Sequence, residues 1–293
     1  MKNILFILGL LLFTSNSLFA QQESLISFYK NHLNLVNPAF NSVDGNTYIT
    51  SSIRKQWVGI QDAPETQAVS FMTPLGKNVA MGFSFIHDRV FVEKQGFVAI
   101  DFSYQVKLNQ NLDLFMGIKA GGNDYSVNTQ GLEAYNITTD PSLEPISRFN
   151  PNIGIGFYLK HAKYYVSLSS PKLLNTERAK NEDGYASVST DRVHMYLSGG
   201  YTFKLNDELD LTPSVMTRYV NGAPFSTDFT AMASFNKVFE MGATYRTDKL
   251  LAGLMQLTFS KRFILGMAYE YSLRSDLINR AKGTTELLLQ FEL

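Results

Sequence analysis

Along most of the chain apolar and polar side chains alternate residue by residue, which is the period of a two-faced β-strand and not of a helix. Val79, Met81, Phe83 and Phe85 stand against Ala80, Gly82 and Ser84. Val98, Ile100, Phe102, Tyr104 and Val106 stand against Ala99, Asp101, Ser103 and Gln105, and Ile153, Ile155, Phe157 and Leu159 against Gly154, Gly156, Tyr158 and Lys160. The same rhythm runs through 45–54, 67–73, 112–121, 164–168, 194–203, 209–220, 225–235, 239–246, 251–259 and 263–272. It finishes on Thr284 to Leu293, where Leu287, Leu289, Phe291 and Leu293 share one parity and Glu286, Gln290 and Glu292 the other; Leu288 is the apolar exception on the polar side. The pattern predicts about fourteen strands, an even number of the kind that single-chain bacterial outer-membrane barrels use.

The connections sort by parity. Numbered along the chain, the even ones are short, as at 74–78, 109–111, 161–163, 205–208, 236–237 and 261–262. The odd ones include every long one: 55–66, 126–151, 170–191 and 274–283. A soluble β-sandwich has no reason to sort its loops this way, whereas an outer-membrane barrel has short periplasmic turns and long external loops. The predicted fold is therefore all-β, a transmembrane antiparallel barrel over 45–293 whose last strand pairs with the first so that no edge remains.

Facing the apolar parity inward would overfill the lumen with Phe, Tyr, Leu and Met, so that parity is assigned to lipid. Tyr104, Phe203, Tyr219, Phe235, Tyr245, Phe263 and Tyr271, near strand ends, then fall where aromatic girdles belong. The inward parity carries Asp101, Asp113, Lys119, Lys160, Asp210, Arg218, Asp228, Glu240, Arg246, Glu270 and Glu286, together with bulky Phe97, Phe115, Tyr158, Tyr165 and Tyr196. Mixed signs and bulk predict a hydrogen-bonded, partly plugged interior in place of a single-sign selectivity ring.

Ahead of the strands, Met1 to Ala20 has Lys2, the apolar run Ile4 to Phe13, a polar patch and a terminal Ala20, which reads as a secretory signal peptide and implies export to the outer membrane. Residues 21–44 read as a periplasmic lead-in or plug segment. No later run is apolar and long enough for a membrane-spanning helix. Lys and Arg total 26 against 26 Asp and Glu, and that balance excludes a phosphate-binding basic surface, so nucleic acid is not an expected partner. The absence of cysteine removes thiol nucleophiles, disulfides and thiolate metal sites together.

Candidate chemistry is sparse. His87-Asp88-Arg89 and His194, near Asp191 and Arg192, lie toward the loop side, but no nucleophile has a distinguishing context. A hydrolase would need a serine or acid within hydrogen-bond reach of one of these histidines. Asp183-Gly184 lacks the spacing of an EF-hand loop. We assign no catalytic residue, no metal and no cofactor.

The segment before and after the first strand is more specific. Phe28-Tyr29, then Asn37-Pro38-Ala39-Phe40, Arg54-Lys55-Gln56-Trp57-Val58-Gly59-Ile60 and Ala63-Pro64-Glu65-Thr66 closely resemble the opening signature of the PorP/SprF family of type IX secretion outer-membrane proteins. The barrel pattern and length agree with that family. After Asn-Pro-Ala-aromatic the family often has a small residue and a glycine, where this chain has Asn41-Ser42. The resemblance implies a non-enzymatic barrel that helps a secreted surface adhesin with a type IX C-terminal domain reach and stay on the cell surface, or that links periplasmic secretion-ring components of the secretion and gliding machinery to the outer membrane. It singles out Asn37, Pro38, Ala39, Phe40, Arg54, Gln56, Trp57, Gly59, Pro64 and Thr66, either as partner contacts or as residues that fix the first loop and the plug. The alternative is a FadL-like channel for hydrophobic small molecules, which also has about fourteen strands and a plug with Asn-Pro-Ala. A continuous apolar pocket behind Asn37 to Phe40 favours the channel; a lumen filled by charges favours the secretion role.

Overall fold

The computed structural model describes residues 26–129, 146–177, 190–221, 223–260, 262–274 and 283–293. In chain order these form a one-turn helix α1 (Leu33–Val36) and the strands β1 (Tyr48–Lys55), β2 (Glu65–Gly76), β3 (Val79–Val90), β4 (Glu93–Asn109), β5 (Leu112–Val127), β6 (Ile146–His161), β7 (Tyr164–Ser170), β8 (Thr176–Glu177), β9 (Thr190–Asp191), β10 (His194–Tyr201), β11 (Phe203–Lys204), β12 (Leu209–Val220), β13 (Ser226–Phe235), β14 (Phe239–Arg246), β15 (Leu250–Phe259), β16 (Phe263–Ser272) and β17 (Thr284–Glu292). Fourteen of them close an antiparallel barrel, with the two-residue β11 as an extra strand beside β12 and β8–β9 as a separate ribbon. Closure is the expected one: β1 pairs with β17 from Tyr48 opposite Glu292 to Lys55 opposite Thr285.

Burial follows parity. On β5 Ile118 is 62% exposed on the outer wall while the next residue, Lys119, is 2% exposed inside. A greasy outer surface is stable only against lipid, and it leaves the lumen to polar groups. At the short-turn end, Lys77 and Asn78 both have positive φ, 52° and 66°, as do Asn236 and Lys237, 51° and 56°. Two successive positive φ values match the right-handed strand twist, which is why these connections are so short.

Two boundaries differ from the sequence expectation. The polar stretch 126–151 contributes strand at both ends, with β5 reaching Val127 and β6 starting at Ile146 directly opposite it. Past the apolar band there is no lipid to satisfy, so the ladder continues on backbone hydrogen bonds without side-chain alternation. At the other end β1 begins at Tyr48, because 42–45 form a turn: Gly45 N–H donates to Ser42 O at 2.9 Å, and Ser42 itself takes φ 50°.

From Ser27 to Asn46 the described part of the lead-in runs inside the barrel. Ser27 sits at the loop-side end, near the ends of β1, β16 and β17, and the chain descends past Phe28 to Asn31, which bonds Gln290 and Gln256. After α1 it crosses to β5 and β6 at Asn37 to Ala39, then leaves at the turn-side mouth, where Lys160 holds Val43 O and Asn46 meets Glu292. Phe28 packs with Met232, Ala252, Leu254, Ala268 and Leu288. This explains Leu288, whose side chain faces the plug and not water.

Candidate functional site

The seat of the plug is built from glycines on the inner wall. Asn37 donates through Nδ2 to Phe157 O at 3.0 Å and Ser167 Oγ at 2.7 Å, while its Oδ1 accepts from Ala39 N–H at 2.9 Å. One side chain thus ties the plug to β6 and β7 and folds Pro38 and Ala39 back on themselves. Asn41 Nδ2 closes the turn on Pro38 O at 2.6 Å. The approach is so close that a Cβ at Gly156 would overlap Asn37 Oδ1, and one at Gly117 would overlap the Pro38 carbonyl and Ala39 N. Inward glycine on these strands is therefore a socket and not empty lumen. Tyr29, Leu33, Ala39, Phe115, Tyr158, Tyr196 and Met216 complete the seat.

Above it runs a belt of opposed charges. Arg54 Nη1 and Nη2 meet Glu270 Oε1 and Oε2 at 2.5 and 2.6 Å, and Glu286 Oε2 lies 3.6 Å from Nη1. The two carboxylates hold the plug: Ser27 N–H donates to Glu286 Oε2 at 2.7 Å, and Ser27 Oγ to Glu270 Oε1 at 2.5 Å. On the far wall Arg246 and Arg218 both pair with Asp228, at 2.6 and 3.0 Å. Three arginines thus meet three carboxylates. On β5 Lys119 uses three donors, to Asp101 Oδ1, Ser84 Oγ and Asn34 O, at 2.7, 2.9 and 3.1 Å. A buried charge without a counter-charge is costly, so these pairings are what make a charged lumen tolerable, although Arg54 Nε, Arg218 Nε and the Asn34 amide stay without a hydrogen-bond partner among the described residues. His32 is fully enclosed, its Nδ1 3.3 Å from Ser70 Oγ.

The motif residues fall into two groups and not one site. Asn37, Pro38, Ala39, Arg54 and Thr66 are buried, with Phe40 half-buried on the seat. Gln56, Trp57 and Pro64 are half-buried in the first loop, which Gln56 N–H to Pro64 O closes at 2.9 Å and Val58 N–H to Gly283 O tethers at 3.2 Å; Gly59 is exposed at its apex. The sequence reading missed the wall residues that receive the plug, above all Gly117, Gly156, Glu270 and Glu286 as its clamp. Their signal was present as glycine and carboxylate on the inward parity, but their plug partners lie from 78 residues away, for Gly117 and Ala39, to 259, for Glu286 and Ser27.

Of the histidine candidates, Ser170 does reach His194, but its Oγ donates to the backbone carbonyl oxygen at 2.8 Å, which is not a nucleophile–base pair. His87 and Asp88 lie within β3, opposite Gln67 and Thr66. Met1 to Ala20 and Asp183-Gly184 lie outside the described residues.

A family model described as type IX secretion system membrane protein PorP/SprF matches residues 18–291. No curated protein matches the chain in sequence. Among solved structures, a TodX monoaromatic hydrocarbon channel variant superposes with a TM-score of 0.52 at 9% identity, covering 87% of this chain and 92% of that one. The Ralstonia pickettii toluene transporter TbuX gives 0.50 at 11% identity, with 87% and 91% covered. The Acinetobacter baumannii outer membrane protein Omp33 gives 0.50 at 8%, with 85% and 98% covered. At such identities the likeness is one of fold, that of an outer-membrane β-barrel.

Proposed function

This chain belongs to the PorP/SprF family of type IX secretion system membrane proteins, and from that premise we propose that it is a plugged, non-enzymatic scaffold of the secretion and gliding machinery. In this role it helps a partner adhesin carrying a type IX C-terminal domain reach and stay on the cell surface, or anchors the periplasmic secretion ring to the outer membrane. The observation that carries the reading is the seated plug. To conduct a polypeptide the lumen would have to release Asn37 from β6 and β7 and Ser27 from Glu270 and Glu286, all buried polar contacts. A barrel closed in this way offers its mouths, loops and outer wall to partners, not its bore. The test is an affinity pull-down of the tagged protein from native membranes. A surface adhesin or a ring component is expected in the eluate; recovery of neither would count heavily against the role.

The channel alternative calls for room for a hydrophobic solute beside the plug. A cavity between Ile26, Leu35, Phe97 and Met216 measures about 60 Å³, while larger recesses of about 190 and 200 Å³ beside Tyr158 and Phe28 are also lined by Lys30. A cavity of about 150 Å³ is what binds benzene. The charged lumen favours the scaffold, and fatty-acid uptake into liposomes by the purified protein would reverse that preference.

A further inference from the structure

The cations inside this barrel follow one rule, and Lys30 breaks it. Arg54, Lys119, Arg218 and Arg246 each face a carboxylate, and Lys160 donates to Val43 O at 2.7 Å. The Lys30 ammonium, partly buried on the plug, makes no hydrogen bond and no ion pair among the described residues. Its place is nonetheless fixed. Tyr29 OH lies 2.9 Å from Ser214 Oγ, and Asn31 is held by Gln290 and Gln256. The Glu240 carboxylate lies across an adjoining cavity. The Lys30 amine is not one of the fully enclosed polar atoms, so it meets solvent and an arriving anion can reach it.

Lys30 lines a recess of about 190 Å³ at the turn-side mouth, under the β6–β7 connection, and also borders two neighbouring cavities, one lined by Glu240 and the other by Asp44 and Glu292. Lys163 and His161 stand at the rim of the recess, Phe40, Tyr158 and Tyr165 wall it, and among the described residues no acidic side chain lines it. Tyr158 meets Phe40 edge to face at 5.1 Å and stacks on Tyr165 at 5.6 Å, so the wall is rigid and aromatic. Thr202 and Thr212 line the same recess, with their hydroxyls 3.1 Å apart, and present polar groups to a backbone amide. The volume is below the ~300–1,000 Å³ of small-molecule sites and a little above the ~150 Å³ that holds benzene. It suits one ring-sized or branched side chain together with its carboxylate.

We infer that this recess captures the C-terminal carboxylate and last apolar side chain of an extended polypeptide presented at the turn-side mouth, with Lys30 as the anion-binding residue and Phe40, Tyr158 and Tyr165 as the side-chain pocket. The scaffold reading enters only in making that mouth periplasmic and the polypeptide a component of the machinery. The test uses the purified full chain in detergent micelles, titrated calorimetrically with N-acetyl-Gly-Gly-Phe as free acid, with the same peptide as its amide, and with inorganic phosphate. The free acid is expected to bind at least tenfold more tightly than the amide, Lys30→Met to lose that preference, and Lys30→Arg to keep it. Because Lys30 bonds nothing among the described residues, the methionine variant should retain heat-modifiable migration. Equal binding of acid and amide, unchanged binding by Lys30→Met, or phosphate binding in place of the peptide would each overturn the assignment. Peptide binding intact with no machinery component in the pull-down would sink the role and leave the site; the reverse result would sink the site and leave the role.

Discussion

Arg54 occupies a loop-flanking motif, yet its side chain turns inward and bridges three elements: β16 through Glu270, β17 through Glu286, and the plug through Ser27 Oγ at 3.3 Å. Breaking a buried pair by removing one partner costs about 3–5 kcal/mol, because the other charge is left without compensation. Arg54→Met should therefore lower the thermal midpoint of the purified barrel sharply and strand two carboxylates at once. Adding Glu270→Gln and Glu286→Gln should recover most of the loss, since neutral amides tolerate the site. Equal destabilisation in the single and triple variants, measured by heat-modifiable migration across temperature, would rule out charge stranding as the cause. The arginine was legible in the sequence as part of a motif. Its partners were not, since Glu270 lies 216 residues away and parity states only that it points inward.

At the level of elements, β17 and the plug depend on each other. The last rungs of β17 pair Phe291 with Ile49 and Glu292 with Tyr48, while Phe291 and Phe263 rings meet at 4.4 Å. Removal of Phe291 to Leu293 takes away those rungs and the turn-side aromatic contact, leaving β1 with an open edge in the membrane, where unpaired backbone groups are prohibitive. The truncated protein should fail to give a heat-modifiable, membrane-inserted form, and normal assembly would refute the dependence of closure on these rungs. Closure was legible from even strand number and alternation. That the lead-in would be held by the same strand, through Glu286, Leu288 and Gln290, was not, because an inward leucine reads as an anomaly until Phe28 is placed against it.

The whole molecule is a barrel filled by its own chain, which makes a direct prediction about transport. The wild-type protein in planar bilayers should show little steady conductance. Gly156→Ala and Gly117→Ala, which place a methyl group on Asn37 and on the Pro38 backbone, should each cost about 1–3 kcal/mol of plug seating and raise the frequency of open events. Conductance equal to wild type in both would mean that the plug is held elsewhere. Alternation, loop parity and charge balance by themselves determined an antiparallel outer-membrane barrel, its closure and its inward charges, because those properties depend on period and on the nature of the surrounding medium, both of which act locally. Only the tertiary structure decided which carboxylate meets which arginine, which glycines are sockets, and that Lys30 stands unpaired. Those facts depend on how strands meet across the barrel and on where a structurally irregular segment settles among them, and no local period encodes either.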